Sequence, residues 1–143
     1  MDIKKVVVIG SGTMGSGIAA HLCNAKIPVT LLDLTTEISE KARDRIFKSK
    51  PPLLLDKSKI DNIKVGNIND NFDVVKDADW IVEAVVERID IKHNIYEKIF
   101  KNRKDGAIVS SNTSSIPIKV LSEKLNSEEK KDFCITHFFN PVR

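Results

Sequence analysis

An α/β fold, doubly wound around a mainly parallel sheet, is what this 143-residue sequence predicts, and three observations predict it. The apolar run Val6-Val7-Val8-Ile9 ends in Gly10-Ser11-Gly12-Thr13-Met14-Gly15 and opens onto Ile18-Ala19-Ala20-His21-Leu22. That is a strand, a tight turn and a helix. Trp80 to Val86 is a second near-continuous apolar run, the pattern of a strand buried on both faces. Short β-branched runs alternate throughout with segments of helical periodicity, the order of repeated strand–helix–strand units.

The elements come in this order. The first helix runs from Met14 to about Lys26, and Pro28 leads into a second strand, Val29 to Leu32, tipped by Asp33. Glu37 to Lys48 carries Ile38, Ala42, Ile46 and Phe47 at helical spacing, and Pro51-Pro52 must interrupt it. Leu53-Leu54-Leu55 and Lys57-Ser58-Lys59 read as an irregular connection or a short helix. Ile63-Lys64-Val65 is a third strand ended by Gly66-Asn67, and Phe72 to Lys76 fits one or two helical turns. After the Trp80–Val86 strand, Ile91, Ile95, Ile99 and Phe100 form a helical stripe. Ala107-Ile108-Val109 is a strand, Ile116 to Leu125 a helix, and Phe133 to Thr136 the last strand. No repeat or low-complexity stretch intervenes.

Composition narrows the classes. With 41% hydrophobic and 30% charged residues, the chain reads as one globular domain, residues 1–143, with one core. A net charge of +3 with scattered lysines gives no basis for nucleic-acid or membrane affinity. Cys23 and Cys134 lack metal-ligand spacing and read as buried thiols of a reducing compartment. No apolar stretch approaches the ~18 residues of a membrane span. Met1-Asp2-Ile3-Lys4-Lys5 runs straight into a core strand, leaving no room for a targeting peptide, so a cytoplasmic location is expected.

The glycine turn carries the first chemistry. Gly10 permits the sharp turn, Gly12 lets a pyrophosphate approach the backbone, and Gly15 lets helix and sheet pack closely. The unpaired amides around Thr13 and Met14, with the positive end of the helix dipole, would face the phosphates. This is the Rossmann dinucleotide pattern. Asp33 stands near the spacing of about 20 residues at which an acid meets the adenosine ribose diol, and it would repel a 2′-phosphate. The expected cofactor is therefore NAD rather than NADP. No cation stands directly after it, since Leu34-Thr35-Thr36 comes next. The alternative is that Asp33 caps the next helix.

In such a sheet ligands lie at the C-terminal strand ends. Past the strand ends stand the glycine turn, Asp33, Val86-Glu87 with Lys92 beyond, Ser110 to Ser115, and His137-Phe138-Phe139-Asn140-Pro141. A histidine directly after a buried strand and beside two phenylalanines is placed as a general base in a dry pocket. The Ser/Asn/Thr run, Asn112 included, would sit beside it and supply hydroxyl and amide groups to a small polar ligand. It could equally form a hydrogen-bonded turn capping the next helix, and both can hold.

On these residues the chain resembles the nucleotide-binding domain of the L-3-hydroxyacyl-CoA dehydrogenases and their 3-hydroxybutyryl-CoA relatives, from about Val6 to Val142. The resemblance rests on GSGTMGSGIA at 10–19, VEAVVE at 82–87 with Lys92, SNTSSI at 111–116 and HFFNP at 137–141. The first motif is shared with many β-hydroxyacid and sugar-acid dehydrogenases; the last two together are close to diagnostic. The resemblance implies NAD-dependent oxidation of the 3-hydroxyl of an acyl-CoA in fatty-acid β-oxidation. It implies that Glu87 and Lys92 contact the cofactor on its nicotinamide-ribose side, with Ala84 and Asn112 also at the cofactor. Ser114 would touch both cofactor and substrate, Asn140 the substrate, and His137 would be the catalytic base. Ser49 aligns with a family serine near the CoA moiety.

Family members continue to a glutamate that orients the histidine, and then to a helical domain that closes over substrate and carries the homodimer contacts. This sequence stops at Arg143. It therefore reads as a cofactor domain expected to turn over little on its own, and apolar or arginine exposure past Pro141 would favour that reading. The alternative is a non-catalytic NAD-binding module that senses cofactor or docks on another protein. A free hydroxyacid or sugar-acid substrate is disfavoured by the HFFNP and SNTSS pair.

Overall fold

The computed structural model describes residues 1–142; Arg143 lies outside the described residues. The elements are β1 (Val6–Ile9), α1 (Thr13–Asn24), β2 (Val29–Asp33), α2 (Thr36–Lys48), β3 (Ile63–Asn67), β4 (Trp80–Glu83), α3 (Ile89–Asn102), β5 (Ile108–Ser111), α4 (Ile118–Leu121), α5 (Ser127–Lys131) and β6 (Phe133–Ile135). Single 3₁₀ segments, Lys57–Asn62 and Phe72–Asp77, lead into β3 and β4. The strands form one sheet in the order β3-β2-β1-β4-β5-β6, and every neighbouring pair is parallel. The doubly wound sheet is as expected.

Alternation along β1 explains why both faces are covered. Val6 and Val8 pack with Ile18, Leu22, Leu31 and Ile46 in one layer. Val7 and Ile9 pack with Leu32, Ile81, Tyr96 and Ile99 in the other. A period of two on a strand that is apolar throughout serves two cores at once. Burying each such side chain stabilises the fold by roughly 1.5–3 kcal/mol.

Helix ends reflect local chemistry. Lys26, at φ 62°, turns the chain out of α1 toward Pro28. Thr35 caps α2, its hydroxyl accepting from the Ile38 amide at 3.3 Å. The α2 helix then turns Ala42 and Ile46 inward.

Several expected boundaries move. β5 runs from Ile108 to Ser111 rather than ending at Val109, so Ser110 and Ser111, expected past the strand end, are strand residues paired with Val82 and Glu83. β4 stops at Glu83 rather than Val86, because the Val85 amide turns away from the ladder and donates to the Glu83 carboxylate at 2.8 Å. Gly66 and Asn67 belong to β3, paired with Leu32 and Asp33, and the turn begins only afterwards, on the Asn67 side chain. The helix expected over Ile116 to Leu125 is the single turn α4, entered through Pro117; Asn126 and Glu129 then start α5 as a reciprocal capping box. Cys23 is buried, whereas Cys134 is partly exposed, because β6 is an edge strand. Exposure is not found at Val142, which is buried against Gly17 of α1. No described helix is long and apolar enough to cross a membrane.

Candidate functional site

The strand order reverses between β1 and β4, so the crevice above their C-terminal ends is the expected ligand site. A cleft of about 580 Å³ lies there, lined among others by Gly10, Gly12, Asp33, Arg45, Ala84 and Val86.

On the β1–β2 side the cradle is main chain. Gly10 has φ 103°, and a Cβ on it would collide with the Ala84 carbonyl across the switch point. A Cβ on Gly15 would strike the Gly10 carbonyl, so α1 can approach the turn this closely only as glycine. Gly12 differs: a Cβ there would meet nothing within 4 Å, and it would project into the space a ligand needs. Gly12 is also the N-cap of α1 without a side-chain capping bond, and no acid stands in the first turn. The first intrahelical bond is Ser16 N–H to the Gly12 carbonyl, at 2.9 Å. The amides of Thr13, Met14 and Gly15 therefore stand ahead of the helical ladder, with the positive dipole end behind them. These residues fit a pyrophosphate.

Asp33 closes this side. Its Oδ2 accepts from the Ser11 amide at 2.7 Å and from the Ser11 hydroxyl at 2.5 Å, and its Oδ1 from the Leu34 amide at 2.7 Å. Since Thr35 caps α2, Asp33 does not serve as that cap. Sequence reading missed Arg45, which α2 brings to the same cleft; its Nη2 donates to the Ser11 carbonyl at 2.9 Å.

On the β4–β5 side the site is built from side chains. Glu83, the last residue of β4, is fully buried. It accepts from Lys92 Nζ and Val85 N on Oε1, at 2.7 and 2.8 Å, and from Tyr96 and Ser111 hydroxyls on Oε2, at 2.7 and 2.6 Å. Lys92, predicted at the cofactor, is itself buried, and its ammonium reaches Glu87 at 3.1 Å. Glu87 is exposed toward solvent and accepts from Thr113 and Ser115 hydroxyls at 2.6 and 3.2 Å. Partial burial alone would raise its carboxyl; the bonds from Thr113 and Lys92 outweigh that and hold it below the ordinary glutamate range. Burial, and then the Glu83 charge, push the Tyr96 phenol well above its usual value.

The Ser110 to Ser115 run is mostly internal cement. Ser110 bonds Trp80 and Thr136, Ser111 bonds Glu83, and Thr113 holds the turn by accepting from the Ile116 amide. Asn112 accepts from the Phe138 amide at 3.0 Å and so fixes the segment after β6. Ser114 is exposed and makes no side-chain hydrogen bond among the described residues. His137 is exposed as well, its ring 4.9 Å from that of Phe139, which is itself 75% exposed. The dry pocket expected around His137 is therefore not formed by the described residues. Only Phe138 turns inward, against His21 and Trp80. Asn140 is exposed beside them in the chain. Ser49 stands apart: α2 runs back from the strand ends, and Ser49 comes just after its last residue, its hydroxyl bonded to the Pro51 carbonyl.

Comparison with known proteins bears on the family and the fold. A family model described as "3-hydroxyacyl-CoA dehydrogenase, NAD binding domain" matches residues 5–143. The "Probable 3-hydroxyacyl-CoA dehydrogenase" of Deinococcus radiodurans is 41% identical over 100% of this chain and 43% of its own length. A relative of the same name in Bacillus subtilis is 40% identical over 99% of this chain and 20% of its own. The crystal structure of (S)-3-hydroxybutyryl-CoA dehydrogenase from Ralstonia eutropha superposes with a TM-score of 0.82 at 32% identity, covering 99% of this chain and 51% of that one. The chain thus spans about half or less of the length of each of these relatives. It belongs to the 3-hydroxyacyl-CoA dehydrogenase family, as an NAD-binding domain.

Proposed function

We propose that this chain is the cofactor-binding half of an enzyme that oxidises the 3-hydroxyl of an acyl-CoA. The observation that carries the reading is the gathering at one end of the sheet: the uncapped start of α1, Asp33, and the exposed Ser114 and His137 beyond β5 and β6. NAD, when bound, supplies the hydride acceptor. Asp33 would accept from the adenosine ribose hydroxyls, and Glu87, held by Lys92, would meet the nicotinamide ribose. Ala84 and Asn112 would line the same path. His137 would take the proton of the substrate hydroxyl at a ring nitrogen. The Ser114 hydroxyl would donate to the reacting oxygen, where charge develops. Asn140 would orient the substrate, and Ser49 would meet the CoA moiety at a distance from the reacting carbon. A cytoplasmic setting belongs to the same reading, supported by bacterial relatives; homodimerisation belongs to it on the family resemblance alone.

The test joins this chain to the remaining half of the Ralstonia eutropha relative. NAD-dependent oxidation of 3-hydroxybutyryl-CoA should appear, and His137→Gln should lower its rate by about 10²–10⁴-fold while NADH affinity stays unchanged. A His137 variant of full activity would sink the assignment.

A further inference from the structure

The buried hub at the end of β4 is not explained by the chemistry above. Glu83 interrupts an apolar run in a central strand, where burying a carboxylate carries a desolvation cost that an apolar residue avoids. Its four donors come from three elements: Val85 just past β4, Lys92 and Tyr96 on α3, and Ser111 on β5. A buried ion pair is weak evidence for stability, since well-packed apolar side chains of similar volume often do as well or better. The network has an outlet instead. Lys92 bridges Glu83 to Glu87, and Glu87 alone of these charged groups is exposed, with 44% of its side chain open. Asp33 on the β2 side takes the adenosine end, so the β4–β5 side faces the nicotinamide end of a dinucleotide laid across the switch point.

We propose that Glu83 is a positioning residue for the nicotinamide half of the cleft: it holds the Lys92 ammonium against Glu87 and thereby fixes the carboxylate that meets the cofactor. The proposal rests on the reading of Glu87 as that contact. Tyr96 and Ser111 hold the second oxygen of Glu83 and so set its orientation.

The chain is titrated with NADH, which spans both halves of the cleft, and with ADP, which reaches only the adenosine half. Glu83→Gln should weaken NADH by about tenfold, the scale of a lost hydrogen bond to a charged group, and leave ADP within about twofold. Tyr96→Phe, which keeps the ion pair and loses one donor to Glu83, should shift the NADH-to-ADP ratio the same way by about threefold. It also carries the test should Glu83→Gln fail to fold. The proposal is overturned if these variants lower the melting temperature but keep the wild-type ratio, or weaken ADP as much as NADH. Glu87→Gln separates the two ideas. If it leaves the ratio unchanged, the reading of Glu87 fails and the proposal with it; if it lowers the ratio while Glu83→Gln does not, the proposal fails alone.

Discussion

The two halves of the cleft are made by different means. On the β1–β2 side the binding surface is backbone: amides ahead of α1, glycines without side chains, and one carboxylate pinned by Ser11. On the β4–β5 side it is a relay of side chains from Tyr96 and Ser111 through Glu83 and Lys92 to Glu87. A main-chain cradle is fixed once strand, turn and helix form. A side-chain relay depends on every charged member keeping its partner, because removing one leaves a buried charge uncompensated. The first half should therefore fail only when it is blocked, and the second when it is loosened.

Blocking gives the largest expected effect. Gly12→Val should weaken NADH and ADP alike by roughly a hundredfold or more, by filling the pyrophosphate space. Its backbone, at φ −68°, suits a valine, and a Cβ meets nothing nearby, so the melting temperature should hardly move. Parallel fluorescence titration and thermal melts check both parts. A variant that still binds NADH would remove Gly12 from the cofactor path.

Next comes selectivity. Asp33→Ala should lower the preference for NADH over NADPH by about tenfold, since it removes an acceptor for the ribose hydroxyls and a charge repelling a 2′-phosphate. Titrating both cofactors measures it, and an unchanged ratio would contradict the role. Arg45 shares the cleft but is engaged with the Ser11 carbonyl, so Arg45→Ala should also loosen the turn that carries Asp33's partner.

The smallest effect is pH-dependent and lies at the far end of the sheet. The Lys104 ammonium, together with the Lys4 and Lys5 amides, lowers the Asp79 carboxyl from 3.8 to about 2. Its contribution is fully present above pH 3.8 and fades as pH falls through about 2. Asp79→Asn should therefore melt lower than wild type at pH 7, and the gap should narrow steadily between pH 4 and pH 2. A gap independent of pH would show that the loss is not one of charge.

Legibility in the sequence divides the same way. Gly10 to Gly15, Asp33 and the strand runs are local signals, readable within a few residues, and the sheet order comes from the repeated strand–helix units. Glu83 offered a signal too: an acid inside the run Trp80 to Val86 must be paired if that run is buried. Its partners Lys92 and Ser111 lie 9 and 28 residues away, and only the fold brings them together. The same holds for Arg45, 34 residues from the carbonyl it meets. The serines of 110–115 looked alike in sequence; which hydroxyls are engaged and which are exposed depends on neighbours in β4 and β6. His137 was legible as a position, and its surroundings were not, because Phe138 and Phe139 point to opposite environments.

The most direct test of the two-sided cleft is amide NMR of the 143-residue chain titrated first with ADP and then with NADH. ADP should shift Gly10 to Gly15, Asp33–Leu34 and Val85–Val86, which line one cleft with Gly10 and Asp33, and leave Glu87 and Asn112 to Ser114 unmoved. NADH should shift all of these segments with one common affinity. Shifts of Glu87 and of Asn112 to Ser114 already saturated by ADP, or a response to NADH confined to the glycine turn, would contradict the account.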